Sequence, residues 1–444
     1  MTVSRTICFG FLAVITVGTF LLMLPLSTTD GSWSNPITAL FTSTSAVCVT
    51  GLSVVDVGKY YSFWGQLFLV LLVQVGGLGY MTATTFLLLL LGRKFGLKDK
   101  IALQQSLDKS GLAGVVQLVQ SILATTILFE LTGVFLLMLV FVPLHGFKQG
   151  VWSAIFHSIN SFNNAGFSLY SDNLIQFVKS PLVNWVVSGL IIAGGIGYQV
   201  IMEMFLWSRD RLTGNRACPI FSLNFKIVTS TTLILLGLGT LFFLVLEFGN
   251  PDTLGPLNFP EKIMAAWFQS VTPRTAGFNT LDYGKMTEAS LFVTIILMFI
   301  GASPGSTGGG IKTTTLRVLF SCTEAVLTGR EEVHCYQRQI PIPLILKTIG
   351  VVFGSLGVVM TSATLIELAN PEFDFIQVLF EAVSAFGTVG LSTGITAKVS
   401  VTAKLILIAT MYIGRVGVLL LMGAILGDPK PRIIRYPEEN LLVG

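Results

Sequence analysis

Four glycines recur along this chain of 444 residues: Gly51, Gly166, Gly277 and Gly390, separated by 115, 111 and 113 residues. Each is followed by a large apolar residue (Leu52, Phe167, Phe278, Leu391) and then a small polar one (Ser53, Ser168, Asn279, Ser392). A phenylalanine stands ten residues ahead in three cases (Phe41, Phe156, Phe380) and nine ahead in the other (Phe268). Self-similarity at one long period means a structural unit copied four times. The stretches Val49-Thr50-Gly51, Asn164-Ala165-Gly166, Thr275-Ala276-Gly277 and Thr388-Val389-Gly390 hold no carboxylate, which argues against an acidic filter for divalent cations. What they share is a backbone property. Glycine tolerates positive φ and leaves a narrow lumen unblocked, so its neighbours can turn carbonyl oxygens inward. Four such strands about one axis could replace the water shell of a large monovalent cation. The competing reading is that the glycines serve only close helix packing.

A second group of breakers runs from Gly301 to Thr313 and includes Gly305, Ser306, Thr307, Gly308, Gly309, Gly310 and Lys312. So many helix breakers in an apolar segment unwind it, and unwound backbone at membrane depth must lie inside protein or face a water-filled cavity. The break falls below the glycine strands, where a gate would obstruct a pore; a kink needed only for packing is the plainer alternative. Glycine spacing in 305–310 resembles a phosphate-binding loop, but Ile311 separates the last glycine from Lys312-Thr313, and no strand or βαβ context surrounds it. Arg415 is a full charge deep in the last apolar segment. Such charges are costly and face a cavity or a partner. It either reaches the 301–313 loop, as a donor to its carbonyls or as a positive barrier, or pairs inside the bundle with an acid such as Glu130. Arg274 sits beside the third glycine strand and is expected to point outward, tying the loop to nearby carbonyls or an acid. Asn163, Asn164 and Thr272 are candidates for similar bracing.

The elements that would position these residues are membrane helices. The chain is 52% hydrophobic and 11% charged, with mean hydropathy +0.78, against about 25% charged residues in a soluble domain. A net charge of +4, spread out, gives no footprint for nucleic acid. The five cysteines and three histidines lack metal-ligand spacing, and nothing converges as a nucleophile, base or metal centre, so the chain is not read as an enzyme. Apolar runs at 6–26, 62–92, 114–143, 182–207, 224–247, 289–328, 344–368 and 402–426 are long enough to span, the first being a span rather than a signal peptide. Between members of each pair lie shorter stretches, 36–52, 152–168, 261–279 and 374–392, that fit half-helices which enter and turn back. The fold expected is thus all-α and integral to the membrane, with four parallel helix–re-entrant loop–helix repeats around a central pore. Their bounds are 1–100, 101–215, 216–340 (with the intramembrane loop 301–313) and 341–444. Fourteen Lys and Arg flank one side of the spans and seven the other, which puts both termini in the cytoplasm and lets every loop enter from outside. Gly76, Gly194, Gly301 and Gly414 recur 25, 28, 24 and 24 residues after the marker glycines, a second register suggesting close contact beneath them. Parallel repeats weigh against the runner-up reading, an ion-coupled secondary transporter with a midplane site.

The marker pattern, the length and the eight-span layout resemble the Ktr/Trk/HKT superfamily of potassium transporters and channels over essentially the whole chain. Ser45-Ala46-Val47-Cys48-Val49-Thr50-Gly51-Leu52 and Thr272-Pro273-Arg274-Thr275-Ala276-Gly277-Phe278-Asn279 carry the resemblance most specifically. With no further helix pair ahead of the first repeat, the layout looks like the KtrB type of membrane subunit. The resemblance implies potassium uptake across the cytoplasmic membrane, the 301–313 loop as gate, and sodium as an activator. It also implies a homodimer seated on a ring of cytosolic nucleotide-binding RCK subunits of KtrA type, with no cofactor in this chain. Each repeat keeps one common glycine where potassium channels have Thr-Val-Gly-Tyr-Gly, which suggests weaker rejection of sodium.

Overall fold

The computed structural model describes residues 3–79, 115–213 and 221–427. The expected run of the second span to residue 92, the basic positions 93–109, 216 and 430–435, and the unit boundaries at 100/101 and 215/216 lie outside these residues. The described residues are mostly helical, and their named strands are the two-residue pair His334–Cys335 and Arg338–Gln339.

Four long helices come first in each unit: α1 (Val3–Met23), α4 (Val115–His145), α8 (Leu223–Glu247) and α12 (Ile342–Ala369). At 21, 31, 25 and 28 residues, each reaches across the roughly 30 Å apolar core of a bilayer. Large apolar side chains such as Phe20, Leu128, Leu233 and Phe353 stay exposed on them, as a lipid-facing surface requires. Each is followed by a short helix that cannot cross: α2 (Pro36–Val47), α5 (Phe147–Phe162), α9 (Phe259–Val271) and α13 (Phe375–Gly387). Local chemistry fixes two of their starts. Asn35 accepts from the Ile37 amide ahead of Pro36, and Asn258 with Glu261 forms a capping box ahead of Pro260.

Short and long helices lock together through one repeated contact. Ser43, Ser158 and Ser270 donate to the carbonyls of Ile15, Glu130 and Leu236 at 2.8, 2.7 and 2.8 Å. Gly18, Gly133 and Gly239, three residues further along the long helices, leave room for those hydroxyls. Where lipid is as apolar as the side chains, small residues and such bonds hold helices together.

The third helices of the units are bent or interrupted. In the second unit α6 (Pro181–Ile196) turns by 104° into α7 (Tyr198–Leu212), and in the fourth α14 (Val401–Val416) turns by 94° into α15 (Val418–Leu426). The physical reason lies at Gly197 and Gly417, whose φ of +89° and +87° no helix contains. In the first unit α3 (Phe63–Leu78) likewise stops at Gly79, φ +78°. Each turning glycine stands three residues after Gly76, Gly194 or Gly414. The third unit breaks differently: α10 (Glu288–Phe299) and α11 (Thr313–Leu327) are separated by residues 300–312.

Candidate functional site

The four short helices deliver four strands to one ring. A β-carbon on Gly51 would overlap the carbonyl oxygen of Ala165, and one on Gly166 that of Ala276. One on Gly277 would overlap the oxygen of Val389, and one on Gly390 that of Thr50, which closes the cycle. The order around the axis is therefore first, second, third, fourth unit, with the second opposite the fourth. Carbonyl oxygens of the residues just before the glycines line this ring, while the side chains of Thr50, Ala165, Ala276 and Val389 are fully buried in the surrounding protein.

The backbone achieves this by alternating hand. Gly51, Gly166, Gly277 and Gly390 have φ between +68° and +94°, and so, unusually, do the residues two places earlier have positive φ: Val49 +58°, Asn164 +59°, Thr275 +72° and Thr388 +51°. In an extended strand, successive carbonyls point to opposite sides; left-handed residues on either side of an ordinary one bring them to the same side. Non-glycine residues held left-handed are strained, and such strain collects at functional sites. Amides are tied down behind the strands. Thr50, Ala165 and Val389 donate to carbonyls five residues back (Ser45, Asn160, Ser384) at 2.7, 2.8 and 2.8 Å. Ala276 reaches only four back, to Thr272 at 3.0 Å, which accounts for the shorter spacing from Phe268 to Gly277. The hydroxyls of Ser45 and Ser384 accept from the amides of Gly51 and Gly390 at 3.0 and 3.1 Å. Sequence reasoning missed these serines, although both stand six residues before their glycine.

Beneath the ring lies the loop 300–312. The Gly309 amide donates to Thr388 Oγ1 at 3.1 Å, and a β-carbon on Gly308 would overlap Thr275 Oγ1, so the loop abuts the half-helix side of two strands. The second unit holds it from beside: Ser303 and Thr307 amides donate to the carbonyls of Gly195 and Gly194 at 3.0 and 3.2 Å, and the Tyr198 amide to that of Gly305 at 3.2 Å. Arg415 reaches across from α14. Its guanidinium donates to the carbonyls of Thr307 and Gly76, and at 3.5 Å to that of Gly77. Glu130 is not its partner; that carboxylate accepts from Asn163 Nδ2 at 3.0 Å. Lys312 turns back on its own loop, Nζ to the Gly308 carbonyl at 2.7 Å. A cavity of about 550 Å³ below the ring is lined by Gly77, Gly194, Gly305, Ser306, Thr307, Gly308, Gly310, Lys312 and Arg415 among others.

The other expected braces land as follows. Arg274 points away from the axis, is buried, and donates to Thr232 O and Oγ1 on α8 at 3.3 and 3.2 Å; among the described residues no acid pairs with it. Asn163 bonds Gln74 as well as Glu130, and Thr272 bonds the carbonyl of Phe278. The second glycine register is a contact register in three units: β-carbons on Gly76, Gly194 and Gly414 would overlap the carbonyls of Val47, Phe162 and Phe386, near the ends of the half-helices. Gly301 instead abuts Gly309 of its own loop.

The family described as TrkH, a cation transport protein, matches residues 5–428. The chain belongs to that family. It is 40% identical over 444 residues to the Ktr system potassium uptake protein B of Bacillus subtilis (strain 168), covering 100% of this chain and 97% of that one. It is 38% identical to the protein of the same name from Vibrio alginolyticus, covering 99% and 94%. A potassium/sodium uptake protein, NtpJ, of Enterococcus hirae is 36% identical, covering 99% and 97%. Among solved structures, the potassium transporter TrkH of Vibrio parahaemolyticus superposes with TM-score 0.72 at 18% identity, over 95% of this chain and 85% of that one. TrkH-family membership makes the chain a membrane cation transporter and not an enzyme.

Proposed function

We propose that this chain takes up potassium across the cytoplasmic membrane through the ring of carbonyl oxygens at Gly51, Gly166, Gly277 and Gly390. The observation that carries the reading is the closed cycle in which each glycine faces the carbonyl before the next one. Only a residue without a side chain leaves those oxygens free to replace a cation's hydration shell. Half-helices whose C-terminal ends face the same region add partial negative charge there. The loop 300–312, held by Arg415 and pressed against Thr275 and Thr388, acts as the gate between ring and cavity. The relatives' names speak of a Ktr system and, in one case, of sodium beside potassium. They support the reading that sodium activates transport. The word system in those names fits a chain that works with other subunits; from the resemblance we infer that two copies sit on a cytosolic ring of nucleotide-binding RCK subunits, with both termini in the cytoplasm.

The test is potassium and sodium uptake in a bacterium lacking its own potassium uptake, comparing wild type with Gly51→Ser and Gly277→Ser. Restored growth at low potassium, with potassium preference weakened in both variants, is the expected result. No monovalent-cation uptake even beside a suitable cytosolic partner would overturn the pore and favour an ion-coupled secondary transporter.

A further inference from the structure

One residue after each marker phenylalanine stands a polar side chain that the carbonyl ring does not use: Thr42, His157, Gln269 and Glu381. All four are buried. In three units this side chain bridges from the half-helix to the segment that leaves the ring just past the glycine. His157 Nδ1 donates to the Ser153 carbonyl at 2.8 Å, so Nε2 is the acceptor for the Ser168 hydroxyl at 3.0 Å. Gln269 Nε2 donates to Thr280 Oγ1 at 3.3 Å. Glu381 does more. Its Oε1 accepts from Ser392 Oγ at 2.5 Å and from the Thr393 amide at 3.1 Å, and its Oε2 from Thr396 Oγ1 at 2.7 Å. In the first unit the Ser53 hydroxyl turns to the Val55 carbonyl instead.

Resting on the carbonyl-filter reading above, we propose that Glu381 is the principal positioning residue of that filter. It fixes the exit of the fourth strand and thereby the ring's discrimination between potassium and sodium. A carboxylate accepts and never donates, and here three donors from residues 392–396 converge on it. Among the described residues no lysine or arginine pairs with it, so these donors are what meets its buried oxygens. Ser392 lies two residues beyond Gly390, and Gly390 directly faces the Thr50 carbonyl and the Gly51 backbone. A spread of residues 392–396 therefore widens the ring at the contact between the fourth and first units. The braces are unequal around the axis: three bonds to a carboxylate in the fourth unit, one neutral bond each in the second and third, and none of this kind in the first. The filter is thus held most firmly next to its least braced strand.

The experiment measures relative uptake of potassium, rubidium and sodium by the full-length chain in the same bacterium, alongside the amount of protein inserted in the membrane. Glu381→Ala is expected to lower potassium preference by about tenfold, at unchanged insertion, with sodium uptake rising as potassium uptake falls. Glu381→Gln keeps the Oε1 acceptor and is expected to recover most of the preference. Should Glu381→Ala not reach the membrane, Ser392→Ala and Thr396→Val each remove one donor and are expected to shift the ratio the same way by a smaller step. Wild-type discrimination that survives in any inserted Glu381→Ala protein, or in both single-donor variants, overturns this inference alone. A wild-type chain that moves potassium and sodium alike overturns the filter reading and this inference with it.

Discussion

Arg415 is a half-buried charge set between the 300–312 loop and two helices. It donates to the carbonyls of Thr307 in the 300–312 loop and of Gly76 in the first unit, so it ties three units together at the level of the cavity. Each charge-assisted bond contributes about 1.5–3 kcal/mol. Losing them removes what favours the loop's present position over one withdrawn from the ring. Arg415→Gln is therefore expected to raise the maximal potassium uptake rate several-fold, or to make it independent of any cytosolic partner; uptake and regulation unchanged from wild type would count against the gate. Arg274 offers the opposite case. Among the described residues its guanidinium bonds Thr232 alone, and it flanks the turn that is one residue shorter than the others. Arg274→Gln should reduce uptake; a variant with wild-type rate and selectivity would remove the bracing role.

At the scale of elements, the turning glycines let conformational and steric costs be separated. Gly197 (φ +89°, ψ 135°) and Gly417 (φ +87°, ψ 140°) share one positive-φ conformation, which costs a side-chain-bearing residue on the order of 1–3 kcal/mol. Gly417 has open space where a β-carbon would stand, whereas at Gly197 that atom would press on the Pro304 carbonyl at 2.5 Å. Gly417→Ala should thus lower the melting temperature of the detergent-solubilised protein slightly, and Gly197→Ala distinctly more while also disturbing the 300–312 loop. Equal shifts for the two variants, or the reverse order, would show that the bend at Gly197 is not coupled to the loop. The spans expected at 182–207 and 402–426 are each formed by a bent helix pair for this same reason. A glycine in an apolar run is compatible with a straight or a broken helix, and only its φ decides.

At the scale of the whole molecule, the ring makes the four units interdependent, since each glycine contacts the next unit's carbonyl. Gly166→Ser and Gly390→Ser should therefore weaken potassium preference as Gly51→Ser does. A variant in any one unit with undiminished preference would break the equivalence. Orientation is tested separately. With single cysteines in an otherwise cysteine-free chain, Lys59→Cys should label from outside intact cells and Arg209→Cys only after permeabilisation, both side chains being exposed; the reverse pattern would invert the topology.

Much of this was legible in the sequence because membranes impose simple rules. Runs such as 224–247 and 344–368 were placed within two residues of α8 and α12, since an apolar core about 30 Å thick sets helix length. Four matched contexts around Gly51, Gly166, Gly277 and Gly390 pointed to one repeated backbone task, because only glycine serves it. What the sequence left open were matters of direction and partner. Arg415 could have met Glu130 or the loop, and its bonds to the carbonyls of Thr307 and Gly76 decide for the loop only once the helices are in place. The role of Ser45 and Ser384, the bends at Gly197 and Gly417, and the convergence of residues 392–396 on Glu381 were decided by tertiary structure alone. Composition and period report how far and how often the chain crosses the membrane. Which carbonyl a given donor finds depends on the closing of all four units around one axis.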